Sequence, residues 1–166
     1  MATPRWKLWA ARVAVVLALV AAWVALSRLW SYATTDDPAV IGSSEVVAVA
    51  SAACAQMRES AAAAAVGPAA TVRQRVGALS AQNDAVMELV TKMRALGEAR
   101  LSADAPSEQW VQDWERLVAA RDAYARELAA GKRATLALPE VGGRPLLDRL
   151  NDVGLNCRVP RVLLAP

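Results

Sequence analysis

The chain has no histidine and no phenylalanine, and it has only two cysteines in 166 residues. Without histidine, a Ser-His-Asp triad, a Cys-His dyad and a histidine-ligated metal site are excluded. Two cysteines are too few for a cysteine-rich zinc site, and the sequence has no CxxC redox pair. It also lacks the GxGxxG, Walker A and GxSxG motifs. We therefore predict a protein that is not an enzyme and that uses no cofactor or metal.

The excess of basic charge is confined to the N-terminal part of the chain. Residues 1–33 have four basic residues and no acidic one, whereas residues 34–166 have 15 basic and 16 acidic residues. Binding to nucleic acid needs a basic stripe on the folded domain. The charge distribution therefore argues against nucleic acid as a partner.

An apolar stretch near the N-terminus predicts a transmembrane helix over residues 8–32. Arg12 and Arg28 are about 24 Å apart at helical rise, so each guanidinium reaches one headgroup layer of a bilayer core ~30 Å thick. Tryptophans flank the stretch at both ends, as in an aromatic belt. The basic residues precede the span and acidic residues follow it, which predicts a cytoplasmic segment at 1–7 and an extracytoplasmic remainder. The first partner expected from this pattern is the lipid bilayer.

Two features of this stretch have alternative interpretations. A signal peptide cleaved near Ala33 would also export the remainder, because a small-x-small site ends the apolar run. Small residues also recur every four positions along the predicted helix, a spacing that lets a second membrane helix approach closely, although an alanine-rich chain produces such rows by chance. This row would be the face toward other envelope or membrane proteins: Ala10, Ala14, Ala18 and Ala22.

The remainder predicts a mainly α protein: a polar linker at 33–44, an extracytoplasmic helical domain at 45–160 and a tail at 161–166. Helices are expected over 45–65, 68–101 and from the turn at 102–106 to residue 130, packed as an antiparallel bundle of about three helices. The second helix has apolar residues in alternating 4-3 spacing, with Asn83 as a polar seam position. A short extended segment at 134–138 and a short C-terminal helix at about 145–153 follow.

The two cysteines, Cys54 and Cys157, both lie in the part of the chain that is predicted to be exported. An even number of cysteines in an oxidising compartment predicts a disulfide. It would join the C-terminal part of the domain to the first helix.

Two groups of residues are candidates for a ligand site. Trp110 and Trp114 could stack on a sugar ring, but tryptophans in a helical seam more often belong to the core. Asp148 and Asp152 lie four residues apart and are the closest approach to a paired-carboxylate site. Solvated carboxylates at this spacing are common on helices, so we expect no catalysis there.

The stretch from Gln109 to Leu117 reads QWVQDWERL and continues through Arg121 and Tyr124, followed by Gly143-Arg144-Pro145 and Cys157. This pattern resembles a group of small single-pass membrane proteins of actinobacteria with the motif W-x-x-D-W-x-x-L-x-x-x-R-x-x-Y-A, then G-R-P and a terminal cysteine. The resemblance covers roughly residues 107–160. It implies the same topology and disulfide, but it implies no activity, because none is established for the group.

We therefore expect a membrane-anchored protein of the cell envelope that acts as a non-enzymatic interaction or structural module. The alternative is an extracytoplasmic module that senses a ligand or binds a sugar through Trp110 and Trp114. These two functions differ in whether the indole rings are buried between helices or exposed in a cleft.

Overall fold

The computed structural model describes residues 20, 22–26 and 40–164 of the chain. The chain divides into two compact units, Met1–Asp37 and Pro38–Pro166. In the first unit, the described residues 20 and 22–26 are helical and exposed. The helical bundle and the disulfide both lie in the second unit.

The prediction of a transmembrane helix over residues 8–32 is corrected by the structure. Within the described ranges, no helix is both long enough and apolar enough to cross a membrane. A spanning helix needs about 20 predominantly apolar residues, whereas the long helices, Val72–Arg94 and Ala105–Ala129, are amphipathic with many exposed polar residues. Ala22 of the predicted alanine row is described and exposed, and the rest of that row and the cleavage site near Ala33 lie outside the described residues. The described fold is thus mainly helical without the spanning element.

Five helices and one short hairpin make up the described part of the second unit, together with a 3-10 helix at Arg161–Leu163. The helices are α1 (Ser44–Ala63), α2 (Val72–Arg94), α3 (Glu98–Ala103), α4 (Ala105–Ala129) and α5 (Leu146–Asn151), and the hairpin strands are β1 (Glu140–Val141) and β2 (Arg144–Pro145).

Local signals set the starts of the first two long helices. The Ser43 hydroxyl accepts from the backbone N–H of Val46 at the start of α1. At the start of α2, Thr71 and Gln74 form a reciprocal capping box, which satisfies two backbone donors at once. The predicted start of this helix at residue 68 was therefore too early.

The predicted second helix over 68–101 is interrupted near its end. Gly97 has φ +91°, a conformation that a helix cannot contain and that L side chains rarely adopt. The chain therefore leaves α2 at Arg94 and restarts as α3 directly after Gly97. Only Asp104 separates α3 from α4, so the predicted turn at 102–106 is mostly helical.

The predicted helical bundle is confirmed, with α2 at its centre. Helix α2 packs against both α1 and α4, and α5 packs against α4. Residues 146–163 contact both α1 and α4, and they fill the space between these helices with Leu146, Leu150 and Leu163, each at most 1% exposed. Leu163, which lies in the segment that we assigned to the tail, is therefore part of the core.

Candidate functional site: a buried polar network and a free strand edge

The disulfide predicted between Cys54 and Cys157 is present, with a Cα–Cα distance of 5.7 Å. Cys54 lies on the buried face of α1 and Cys157 follows α5, and both are at most 1% exposed. A second contact lies beside the bridge, because Arg58 Nη1 donates to the carbonyl of Asn156 at 2.9 Å. The C-terminal residues are thus attached to α1 by a covalent bond and a hydrogen bond.

The two candidate binding tryptophans are both in the core. Trp110 is 1% exposed and Trp114 is 0% exposed, and their rings pack edge to face with centroids 5.9 Å apart. Trp110 Nε1 donates to the carbonyl of Leu150 at 3.2 Å and joins α4 to α5. Trp114 Nε1 has no hydrogen-bond partner among the described residues. Neither indole face is open to solvent, so these rings present no platform on which a sugar could stack.

A fully buried arginine lies where α4 meets α2 and the C-terminus. Arg121 Nε donates to Asn83 Oδ1 at 2.7 Å, and Nη2 donates to Gln82 Oε1. Its Nη1 donates to the carbonyl of Leu163 in the 3-10 helix. Asn83 in turn donates to Asp122 Oδ1 at 2.6 Å. The polar seam position Asn83 therefore connects the buried cation to a carboxylate.

The charge of Arg121 is disfavoured by its surroundings but persists at neutral pH. Burial lowers the pKa of Arg121 to about 10, and the nearby negative charge of Asp122 acts in the opposite direction. The direct acceptors of the guanidinium are all neutral oxygens. This arrangement stabilises one register between α2, α4 and the 3-10 helix, and the side chain is fully buried and so not accessible to a ligand from solution.

Asp113 is a buried carboxylate held between two arginines. Its Oδ1 accepts from Arg116 at 2.6 Å and its Oδ2 accepts from Arg149 at 2.8 Å, while its side chain is 2% exposed. Arg149 belongs to α5, so this pair ties α5 to α4. Asp113 and Arg121, two turns apart on α4, therefore have separate sets of partners.

Asp104 directly precedes α4, but its side chain makes no capping bond to that helix. Instead, Asp104 Oδ2 accepts from the backbone N–H groups of Gly42 and Ser43 at 3.2 and 2.9 Å, immediately before α1. An acidic side chain distant in sequence thus satisfies donors at the start of the first helix.

The candidate acid pair is not gathered into a site. Asp148 is exposed on α5, and Asp152 Oδ2 accepts from Arg144 Nη2 at 2.9 Å on the surface. Within the described ranges, no cluster of three or more acidic, cysteine or histidine residues could hold a metal ion.

The remaining candidate is residues 134–138, which we call the edge segment. Helix α4 ends in a Schellman motif, in which Gly131 has φ +72° and the N–H of Lys132 donates to the carbonyl of Glu127. The chain then turns back along α4 toward β1. Along the edge segment the side chains alternate between half-buried and exposed, as they do in a strand on a protein surface. The predicted extended character of this segment agrees with that alternation.

The backbone of the edge segment is unpaired. Among the described residues, no backbone N–H or carbonyl of residues 133–138 takes part in a hydrogen bond. An open groove of about 410 Å³ lies beside it, lined by the end of the segment and by the small side chains of Ala119 and Ala120 with Arg116 of α4. Unpaired strand edges are a template for pairing with another chain.

Comparisons with protein-family models, with curated proteins and with solved structures each found no match to this chain. The resemblance to the actinobacterial membrane-protein group stays a prediction.

Proposed function

We propose that this protein is a non-enzymatic interaction module that works in an oxidising compartment outside the cytoplasm. The observation that carries the proposal is the unpaired backbone of the edge segment beside an open groove. Recognition by strand addition uses such an edge, with main-chain hydrogen bonds supplying affinity. The buried Cys54–Cys157 disulfide supports the compartment, because such bonds persist where the surroundings are oxidising.

The placement of the buried charges also favours an interaction module over an enzyme. Among the described residues, Arg121 and Asp113 are the buried charged residues, and each hydrogen-bonds to partners within the fold. Perturbed ionisable groups are a sign of catalysis when they line a cleft. Here they join helices, which is a structural role.

Site-specific photo-crosslinking in cells tests the interaction. A photo-reactive residue at Ala137, exposed in the edge segment, should form a protein adduct, whereas the same residue at Ala55, exposed on α1, should not. Leu136→Pro removes a backbone donor and should abolish the adduct. Leu136→Ala is the matched control, because it removes the same half-buried side chain and keeps the N–H.

The result that overturns the interaction is a lack of any adduct at Ala137, or an adduct that survives Leu136→Pro unchanged. The compartment is tested separately by denaturing cells directly in a thiol reagent, because both cysteines are buried in the folded protein. Cys54 and Cys157 should stay unmodified unless a reductant is added first. Modification of both without reductant would contradict the proposed location.

A further inference from the structure

One edge of the strand that contains β1 is occupied by β2. Val141 pairs with Arg144, and two residues away the N–H of Leu146 donates to the carbonyl of Pro139 at 3.2 Å. Backbone groups of alternate residues along a strand point to the same edge. Pro139 and Val141 therefore face β2, and Glu140 faces the opposite edge.

The same alternation, continued toward the N-terminus, shows which edge the backbone groups of the edge segment face. Ala134, Leu136 and Leu138 share the edge of Glu140, which is the edge without β2. Proline has no backbone N–H, but Pro139 lies on the edge toward β2 and so does not interrupt this one. The edge opposite β2 is therefore free from residue 134 to residue 140 among the described residues.

The charges around this edge are arranged symmetrically about Leu136. Lys132 lies four residues before it and Glu140 lies four residues after it. Lys132 is 4.0 Å from Glu127 in a pair exposed on both sides, and Glu140 has no ion-pair partner among the described residues. In an antiparallel pair of two identical strands centred on Leu136, each Lys132 lies opposite the Glu140 of the other strand.

We propose that the partner of the edge segment is a second copy of this chain. This inference rests on the proposed interaction function and names its partner. The two copies pair antiparallel through their free edges, with a two-fold axis at Leu136, and the two β2 strands lie at the outer edges of the combined sheet. Ala134, Leu136 and Leu138 are the hydrogen-bonded positions of this register, and they supply about six backbone bonds.

The self-complementary charges favour a second copy over an unrelated peptide. An unrelated strand would need its own acid and base at matching positions, whereas two identical strands match at both ends by symmetry. Opposite charges directly across a strand pair stabilise it, and like charges destabilise it. A parallel pairing in register would place Lys132 against Lys132.

Cysteine trapping between full-length chains tests the register. In the proposed pair, Thr135 lies opposite Ala137 of the other copy, at a non-hydrogen-bonded position with Cα atoms about 4.5 Å apart. That distance permits a disulfide. The distance between the two Thr135 residues of the pair, about 8 Å, does not. A Thr135→Cys chain and an Ala137→Cys chain, expressed in one cell with different tags, should therefore form a mixed disulfide dimer. A non-reducing gel detects it. Either variant expressed alone should give at least about fivefold less dimer.

Charge reversal tests the pairing independently of the introduced cysteines. With the photo-reactive residue at Ala137, Lys132→Glu or Glu140→Lys alone should lower the homodimer adduct by about tenfold, because each places two like-charge pairs across the interface. The double variant Lys132→Glu/Glu140→Lys should restore it. Both residues are exposed, so these changes leave the core intact.

Each outcome decides between the two proposals. A mixed cysteine dimer together with rescue by the double charge variant supports the second copy. Equal trapping in all cysteine combinations, or no rescue, overturns it. If Ala137 forms an adduct with a different protein and no mixed dimer appears, the homodimer is wrong and the interaction function stands. If no adduct of any kind forms, both are wrong.

Discussion

Removal of the Cys54–Cys157 disulfide should cost the second unit a large share of its stability. The bridge closes a ring over a sequence separation of 103 residues. In the chain-entropy treatment, opening a ring of that length releases about 4.7 kcal/mol of denatured-state entropy at 25 °C. A domain of this size is typically stable by about 5–15 kcal/mol, so the loss is a large share of the total.

The packing of the sulfur atoms adds a second and smaller contribution. Both cysteines are at most 1% exposed, so Cys54→Ala/Cys157→Ala also leaves small cavities, for which we expect about 1 kcal/mol. Reduced wild-type protein keeps the cysteine side chains and lacks only the bond. The comparison of reduced wild type with the double variant therefore separates the cross-link from the packing.

Urea unfolding followed by far-ultraviolet circular dichroism measures these differences. The oxidised protein should be more stable than the reduced protein by about 3–5 kcal/mol. It should also have a smaller m-value, because a cross-linked denatured chain exposes less surface. A difference below about 1 kcal/mol between oxidised and reduced protein would refute the reasoning, since the ring would then not constrain the denatured chain.

Three further predictions concern polar contacts. Arg121→Met should lower the free energy of unfolding by about 3 kcal/mol, because three buried acceptors lose their donor. The control Arg126→Met, on the exposed side of α4, should change it by less than about 0.5 kcal/mol. Urea titrations of both variants check this. Since the pKa of Arg121 in the folded state is about 10, the difference between wild type and Arg121→Met should be constant from pH 5 to about 9. Above pH 10 the folded state releases this proton before the unfolded state does, so the contribution of Arg121 to stability should rise with pH. Asp104→Ala should cost about 1 kcal/mol by thermal unfolding, and Asp104→Asn less, because an amide oxygen still accepts from the N–H groups before α1.

The sequence predicted the elements whose signals are local. The 4-3 spacing of apolar residues predicted α2, and the predicted helices over 45–65 and to residue 130 correspond to α1 and α4. The disulfide followed from the count of cysteines and from the predicted compartment. Each of these inferences needs only the composition or a few neighbouring residues.

The sequence did not predict contacts that depend on the register between distant elements. Nothing in the residues near Arg121 indicates that the carbonyl of Leu163 accepts a hydrogen bond from it. The two residues lie 42 positions apart and meet only because the chain after α5 folds back. The hydrogen bonds of Asp104 to the residues before α1 could not be predicted from the sequence for the same reason. The break at Gly97 was missed because a glycine inside a periodic pattern is often tolerated in a helix, and only its positive φ marks the end.

The predicted membrane span failed for a different reason. It was inferred from hydropathy over residues 8–32, yet no helix in residues 20, 22–26 and 40–164 meets the length and apolarity that a span requires. The proposed compartment of the second unit is therefore inferred from its disulfide rather than from a spanning helix.

The contacts that stabilise the second unit also explain why the edge segment is suited to pairing. The bonds of Cys157 to Cys54 and of the Leu163 carbonyl to Arg121 fix the C-terminal residues between α1 and α4. The edge segment, by contrast, is attached through half-buried side chains and leaves its backbone free. A strand that the rest of the fold already positions loses little conformational entropy when it pairs, so a modest number of hydrogen bonds is enough for association. Pairing about a two-fold axis uses the edge opposite β2 in both copies, so this edge closes the assembly at two chains.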